Sequence, residues 1–431
     1  MSRILLRGGR VLDPATHTDQ VCDLLIENGV VREVGEGLSD EGASVRDVSG
    51  QWVAPGFCDM HVHFREPGLE YKEDIASGGR AAVAGGFTSV ACMANTEPVN
   101  DDPAVTDFII DRARADSPAR VYPIAAATKG LQGEVMTEMS ALVEAGAVAF
   151  SDDGSTIMDG GVMRNVLEYS CLVKKPVIVH AEDCCIRGKG VVNEGPVSTR
   201  LGLPGNPTAA EDVLVARDIA LAKITGAHVH IAHVSSAGAV ELIRDARARG
   251  VHVTAEVTPH HIELTDEATL GYDTNTKMAP PLRSQADVEA CQAGLVDGTI
   301  DCVATDHAPH AVHEKDTDFI EAPCGIIGLE TALPVCLGMV RSGALSPLEM
   351  MDRMSTAGAK LLNCPGGSLE VGAVADVVVI DPDQTWTYDP MKGYSKSRNS
   401  PWSGKLLTGR VLATYVNGKL VFDVNEGVLF P

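Results

Sequence analysis

The stretch FCDMHVHFREPG, Phe57 to Gly68, has two histidines separated by one residue and an arginine two residues after the second histidine. In a β-strand residues i and i+2 point to the same face, so His61 and His63 aim at one point while Val62 faces away. Two imidazoles that converge on one point suit a divalent metal. The stretch therefore predicts a metal site, and Arg65 beside it offers a planar donor for an anion.

Other side chains with metal-binding or polar chemistry follow later strand-like runs. In a (β/α)8 barrel the carboxyl ends of the strands meet at one rim, where such enzymes keep their chemistry. Imidazole and carboxylate ligands with one position left open for water are typical of catalytic zinc. With His180, His233 and Asp306 added, the histidine pair predicts a zinc site more strongly than it does alone. The other polar side chains at these strand ends are Asn95 and Asp153.

The middle of the chain alternates strand-like and helix-like segments. Helical stretches such as TAAEDVLVARDIALAKITG and SAGAVELIRDARARG end on glycine, as a helix C-cap does. Repeated β-then-α units over roughly 300 residues favour an α/β fold with a parallel (β/α)8 TIM barrel over an open doubly wound sheet. No GxGxxG motif follows the first strand. The eight strand-like runs are FCDMHVHF, FTSVACMAN, RVYPIAAAT, AVAFSDDG, KPVIVHAED, HVHIAHVSS, VHVTAEVTPHH and DCVATDHAPH.

Both ends of the chain instead show hairpin patterns, with Asn28-Gly29 near the start and Asn417-Gly418 near the end. A few hairpins at one terminus bury little apolar surface alone, so we expect both ends to meet in one small β-sandwich domain. The predicted organisation is residues 1–52 and 365–431 for this domain and residues 53–364 for the barrel.

Composition narrows the class of partner and the compartment. With 35 Lys+Arg against 59 Asp+Glu, the formal charge of -24 repels phosphate backbones and anionic membranes, so we expect neither as a partner. No apolar run approaches the roughly 20 residues that cross a bilayer. The first apolar stretch, residues 1–12, carries three arginines, unlike a secretory leader. The 11 cysteines are odd in number and lack a CxxC pair, which indicates mostly buried thiols and a cytoplasmic protein.

The other histidines are expected to have different roles. His228 and His230 have opposite strand parity to His233 and lie nearer the strand start, so we expect them to pack against helices. For His260 and His261 a role behind the metal ligands and a plain structural role are equally open. Asp152, beside Asp153, is expected to be a solvated loop carboxylate. Surface or loop positions are expected for His17, His252 and His313.

The motifs GFCDMHVHFREPG, VIVHAED, AHVS and ATDHAPH together resemble those of the amidohydrolase superfamily, and within it those of bacterial type I dihydroorotases. The resemblance continues in MANTEPVND, FSDDG, KMAPPLRS and GLET and runs over nearly the whole chain. It implies reversible, zinc-dependent cyclisation of N-carbamoyl-L-aspartate to L-dihydroorotate in pyrimidine synthesis. It also implies one or two Zn²⁺ per subunit, bound by His61, His63, Asp153, His180, His233 and Asp306.

The resemblance assigns further roles to single residues. Many amidohydrolases bridge two metals with a carboxylated lysine, but AVAFSDDG has none at its end. The resemblance to type I dihydroorotases implies that Asp153, and not its neighbour Asp152, takes the bridging place. Asp306 is the implied catalytic residue, which accepts the proton of the attacking water and delivers it to the leaving ring nitrogen. The implied carboxylate clamp is Arg65, Asn95 and His310, with main-chain contacts near Gly325. The full set of implied substrate-binding residues is His63, Arg65, Asn95, His310, Cys324 and Gly325.

Two departures and two rival functions accompany this interpretation. Ala279 stands where the family usually has asparagine, and Cys324 where it usually has an aromatic residue, so we expect altered affinity rather than lost chemistry. A hydantoinase or allantoinase would share the fold and the ring opening, but would be expected to use a bridging lysine. A non-catalytic scaffold subunit of aspartate transcarbamoylase would be expected to lose metal ligands, which this chain retains.

Two further expectations concern partners and motion. A catalytic subunit could still associate with aspartate transcarbamoylase, and we expect a homo-oligomer. Segment 310–325 is polar and follows the last barrel strand, so we expect it to act as a lid.

Overall fold

A computed structural model describes residues 3–430, and residues 1, 2 and 431 of the predicted terminal segments lie outside the described residues. Its strands fall into two large sheets and one small pair, β11 with β12. The strands are β1 (Arg3–Asp13), β2 (Thr18–Glu27), β3 (Val30–Gly35), β4 (Ser44–Asp47), β5 (Trp52–Pro55), β6 (Phe57–Val62), β7 (Phe87–Cys92), β8 (Arg120–Ala125), β9 (Ala149–Phe150), β10 (Val177–Val179), β11 (Val192–Asn193), β12 (Gly205–Asn206), β13 (Val229–Ile231), β14 (Val253–Val257), β15 (Cys302–Val303), β16 (Val377–Thr387), β17 (Leu406–Val416), β18 (Lys419–Asp423) and β19 (Gly427–Val428).

Along the chain, most helices lie between the strands of the eight-stranded sheet that the middle of the chain forms. Each predicted helical stretch contains one, and α3, α7 and α10 end on Gly146, Gly226 and Gly298 at positive φ, where a residue without Cβ is favoured. The helices are α1 (Ile75–Ala84), α2 (Pro103–Asp116), α3 (Met139–Ala145), α4 (Gly160–Val173), α5 (Cys184–Arg187), α6 (Pro196–Leu201), α7 (Ala209–Thr225), α8 (Ala237–Ala248), α9 (Pro259–Glu263), α10 (Gln285–Asp297), α11 (Val312–Lys315), α12 (Ala332–Arg341), α13 (Pro347–Met351) and α14 (Ala357–Leu362).

The middle of the chain forms the predicted barrel. Its parallel strands are neighbours in the order β6, β7, β8, β9, β10, β13, β14 and β15. The ring closes where Val62 pairs with His307, since the His63 N–H donates to the His307 carbonyl at 2.9 Å. Each predicted strand-like run contains one of these strands, so the (β/α)8 prediction is confirmed.

Strand alternation separates the barrel interior from the layer of helices. Ala232 and Cys302 belong to an interior cluster, whereas their chain neighbours Ile231 and Val303 pack with the helices. The same alternation turns His228 and His230 toward the interior. The expectation that they pack against helices is therefore wrong. It assumed that the alternation of side chains continues to His233, but β13 ends at Ile231.

The two ends of the chain share one sheet, which confirms the small β-domain built from both termini. Its strands follow the order β19, β18, β17, β16, β5, β1, β2 and β3, with β4 beside β1. β5 joins the two ends, because Val53 pairs with Val11 in parallel and with Val379 antiparallel. Both Asn-Gly turns have positive φ at each residue, as a two-residue hairpin requires. The boundaries at residues 52 and 365 stay a prediction.

Within residues 3–430 no helix is both long enough and apolar enough to span a bilayer. The cysteines are free, and most are buried as predicted: Cys22, Cys58, Cys92, Cys291, Cys302 and Cys336.

Candidate metal and active site

β6 ends at the barrel mouth and brings His61 and His63 to the same side, as the HxH spacing predicts. His61 Nε2 lies 3.4 Å from Asp153 Oδ2 and 3.6 Å from Asp306 Oδ1. His63 Nε2 lies 3.5 Å and 3.0 Å from the same two oxygens. All four side chains are buried. Two imidazoles and two carboxylates from β6 and from the loops after β9 and β15 therefore face one point.

A second pair of imidazoles lies on the other side of Asp153. His180, after β10, and His233, after β13, place Nδ1 and Nε2 2.9 Å apart. These two atoms lie 3.6 Å and 3.4 Å from Asp153 Oδ1. Asp153 thus directs one oxygen to each imidazole pair. The structure brings together every residue that the sequence proposed as a metal ligand.

The chemistry of the buried atoms fits a metal ion. His61 Nε2 and Asp153 Oδ1 are buried without a hydrogen-bond partner. Buried polar atoms are normally paired, so these two orphaned atoms need another partner. In two sets of three residues, one nitrogen or oxygen atom from each residue lies within 4.8 Å of the other two. The first set is His61, His63 and Asp306, and the second is His61, Asp153 and His233. Such nitrogen and oxygen donors are those that divalent metals accept.

The imidazoles also keep the two carboxylates charged. Burial by itself raises the pKa of Asp306, but charge on His61 and His63 outweighs it and lowers that pKa below its ordinary value. For Asp153, burial opposes but His61, His180 and His233 lower the pKa well below the usual range. Both groups are therefore carboxylates at neutral pH, the form that binds a metal and accepts a proton.

The backbone is strained where it delivers these side chains. His233 has φ 32°, Asp306 φ 46° and Arg65 φ 65°, in a region that residues with a Cβ rarely adopt. Such strain persists only where the surrounding structure imposes it, and it concentrates at functional sites. At His233 the strained φ breaks strand alternation and turns the imidazole into the mouth.

A cavity of about 270 Å³ opens beside the cluster. Arg65 is 8% exposed, and its Nε donates to the Pro309 carbonyl at 3.4 Å. Asn95 Oδ1 accepts from His63 Nδ1 at 2.9 Å, so Asn95 also orients a candidate metal ligand. The cavity wall includes every residue predicted to bind substrate: His63, Arg65, Asn95, His310, Cys324 and Gly325.

His310 and Gly325 are both held by hydrogen bonds to neighbouring loops. His310 Nε2 donates to the Cys324 carbonyl at 2.8 Å, and burial lowers the pKa of His310 to about 2. A neutral His310 arranged in this way has no proton on Nδ1 for a carboxylate. Gly325 directs its N–H to the Lys277 carbonyl at 2.9 Å. A Cβ on Gly325 would lie 2.5 Å from the Ala308 carbonyl oxygen, so this close loop contact requires glycine.

Sequence reasoning missed residues that hold the site from a distance. Asn399 Nδ2 donates to the carbonyls of Ala308 and Gly325, both at 2.9 Å, and its Oδ1 accepts from the His310 N–H. The surrounding segment SKSRNSPW has no helix or strand period that could have marked it. Glu256, on β14, accepts from His61 Nδ1 at 2.7 Å. Its place in the run VHVTAEVTPHH at an inward-facing position was the available signal.

Asp152 was expected to be solvated, but it is 6% exposed and accepts from the N–H groups of Ala127 and Thr128 at 2.9 Å each. It therefore fixes the loop after β8.

His261 is held by Thr258 and the Pro280 carbonyl, a structural role, whereas buried His260 Nε2 has no hydrogen-bond partner. His17, His252 and His313 are exposed, as expected.

Comparison with known proteins places this site in a family. A family model described as "Dihydro-orotase-like" matches residues 50–239. "Dihydroorotase" proteins are 51% identical in Trichlorobacter lovleyi and 53% identical in Citrifermentans bemidjiense, each over 97% of this chain and 99% of the relative. The solved L-hydantoinase (dihydropyrimidinase) from Arthrobacter aurescens is similar at a TM-score of 0.90 and 26% identity, covering 100% of this chain and 98% of that one.

The loop held by Asp152 leads to a stability prediction. Asp152→Ala leaves the buried N–H groups of Ala127 and Thr128 without acceptors, so we expect the free energy of unfolding to fall by about 1–3 kcal/mol. Chemical denaturation measures it. The control Asp107→Ala removes an exposed carboxylate and is expected to change stability by less than about 0.5 kcal/mol. Equal stability of the two variants would show that Asp152 is only a solvated carboxylate.

Proposed function

The chain belongs to the dihydroorotase family, whose members open and close a cyclic amide, and from this premise we propose which residues carry the reaction. The reaction is the reversible cyclisation of N-carbamoyl-L-aspartate to L-dihydroorotate. The observation that carries the assignment is Asp153, whose two oxygens face separate imidazole pairs beside a cavity that contains Arg65.

We propose zinc as the metal, with one or two ions per subunit. His61, His63 and Asp306 would hold one position and His180 and His233 the other, with Asp153 between them. When bound, such a metal lowers the pKa of water toward neutrality and polarises a carbonyl. This division is supported by the distances from Asp153 Oδ2 to the first pair and from Asp153 Oδ1 to the second.

Asp306 is the proposed proton carrier. Its carboxylate is ionised, lines the cavity and lies 3.0 Å from His63 Nε2. In ring opening it accepts the proton of the attacking water and delivers it to the leaving ring nitrogen. In ring closure it takes the proton from the attacking ureido nitrogen and returns it to the departing oxygen.

Arg65 is the proposed partner of the substrate carboxylate. A guanidinium can pair with a carboxylate through two parallel hydrogen bonds, and burial strengthens such a pair. Asn95, whose Oδ1 already binds His63, can donate through Nδ2. His310 is neutral and shapes the wall, so Arg65 alone supplies the positive charge of the clamp. A local cation explains how a chain with a formal charge of -24 captures a dianion.

The departures at Ala279 and Cys324 both lie in the cavity wall. Ala279 offers no side-chain hydrogen bond, and Cys324 keeps its carbonyl on His310. We propose that they adjust substrate affinity and leave the chemistry intact. The structural similarity to hydantoinases concerns the fold, and the aspartate in the bridging place together with Arg65 favours a substrate that carries a carboxylate.

We also propose the type I subclass, a cytoplasmic location and a homo-oligomeric state, and association with aspartate transcarbamoylase as a further proposal. These four rest on the sequence resemblance and on the composition. Size-exclusion chromatography with and without aspartate transcarbamoylase tests the last two.

Asp306→Asn tests the proton carrier. The amide cannot accept the proton, so we expect kcat to fall by at least about 100-fold, the range for general acid–base catalysis. Zinc content is measured on the same sample, because Asp306 is also a proposed ligand. The control Asp111→Asn changes a carboxylate that is 75% exposed and should leave kcat unchanged. Near-normal turnover in Asp306→Asn contradicts the assigned role.

Substrate preference tests the function itself. With zinc present, we expect turnover of L-dihydroorotate to exceed that of hydantoin and allantoin. In Arg65→Ala the kcat/KM for L-dihydroorotate should fall by at least about tenfold, because a charged hydrogen-bond pair is lost. The uncharged hydantoin should be much less affected, and Arg114→Ala, at an exposed arginine, serves as control. Preference for hydantoin would overturn the substrate, and equal losses on both substrates would overturn the clamp.

A further inference from the structure

We infer that Glu256 is a positioning residue for the proposed metal site and that it holds His61 in the proton arrangement that leaves Nε2 free for a metal. The inference rests on the proposed function, because it concerns the same His61. Glu256 lies on β14 inside the barrel, beneath the mouth, and does not line the substrate cavity.

The contact between His61 and Glu256 fixes which nitrogen carries the proton. His61 Nδ1 and Glu256 Oε1 are 2.7 Å apart, and both side chains are 0% exposed. Glu256 Oε1 accepts this hydrogen bond, so His61 donates it from Nδ1. In the neutral imidazole that binds a metal the lone pair is then on Nε2, the atom that faces Asp153 and Asp306. A metal-binding histidine needs this neutral form with a partner on the other nitrogen.

The second oxygen of Glu256 is held from the opposite side. Glu256 Oε2 lies 3.2 Å from His230 Nε2, and His230 Nδ1 lies 2.8 Å from Thr254 Oγ1. Thr254 Oγ1 is in turn 2.7 Å from His228 Nε2. One set of donors and acceptors satisfies every contact in this chain. His228 donates to Thr254, Thr254 to His230, and His230 to Glu256.

The barrel strands explain why these residues line up. His228 and His230 are two residues apart at the start of β13, and Thr254 and Glu256 are two residues apart on β14. Because side chains alternate between the two faces of a strand, all four point into the barrel. β13 and β14 are adjacent parallel strands in which His230 pairs with Thr254. The hydrogen-bonded chain from His228 through Thr254, His230 and Glu256 therefore runs along two neighbouring strands, and it ends at His61.

The surroundings of Glu256 argue against a separate metal site. His230, Glu256 and Cys302 offer ligand atoms within 4.8 Å of one another. Both carboxylate oxygens and both His230 nitrogens are, however, already hydrogen-bonded. Glu256 thus has His61 and His230 as its partners, and its charge acts on the metal through His61.

Zinc affinity of the metal-free enzyme tests the inference. Glu256→Gln keeps the shape but removes the charge, and we expect the dissociation constant for Zn²⁺ to rise by about 10–100-fold, as for other partners behind metal ligands. Competition with a chelator of known affinity measures it on the full chain. Activity lost at limiting zinc should return at high zinc, which a merely structural defect would not allow. Asp218→Asn, a buried carboxylate on α7 bonded to Arg217, is the matched control.

The outcomes separate the inference from the proposed function. Wild-type enzyme that binds no zinc would refute the metal site, and Glu256 would lose its role with it. Wild-type and Glu256→Gln enzymes with equal zinc affinity would overturn the inference alone. If Glu256→Gln does not fold, the same zinc-affinity measurement is made on His230→Leu, which leaves Glu256 Oε2 without its hydrogen-bond donor. We expect weaker zinc binding in that variant, and unchanged affinity would contradict the inference.

Discussion

The structure depends on a buried carboxylate, Asp153, that faces two pairs of imidazoles at once. Burying several ionisable groups together is unfavourable unless each finds an opposite charge or a hydrogen bond. Here the imidazoles keep Asp153 and Asp306 charged, yet His61 Nε2 and Asp153 Oδ1 lack hydrogen-bond partners. Metal binding at these two atoms would resolve that conflict, and its free energy would also stabilise the folded barrel.

The barrel makes such a cluster possible because it gathers residues that are far apart in sequence. The ends of β6, β9, β10, β13 and β15 each bring a proposed metal ligand to the same rim. Strained backbone at His233 and Asp306 completes the approach. Support comes from two directions: Glu256 reaches up from the barrel interior, and Asn399 holds the loops at residues 308, 310 and 325 from the outside. The C-terminal part of the chain thereby helps to build the substrate cavity.

Much of the site could be predicted from the sequence, because alternation and barrel topology are simple geometric rules. They place His61 and His63 on one face and bring the strand-end residues together. Alternation gave the wrong face for His228 and His230, because it was counted from His233, where the backbone has φ 32° and is no longer a strand. The expected exposure of Asp152 was wrong because a loop contact with Thr128 buries it. Asn399 lies in an irregular segment without a period, so only the folded chain shows its contacts. The neutral state of His310 follows from burial, which single residues do not reveal.

Anomalous diffraction at the zinc absorption edge, from crystals grown with Zn²⁺, tests the central claim most directly. The account predicts anomalous density at about 2.0–2.2 Å from an oxygen of Asp153 and from imidazole nitrogens of the surrounding histidines. Zinc found only at the protein surface, with the six proposed ligands left uncoordinated, would contradict it.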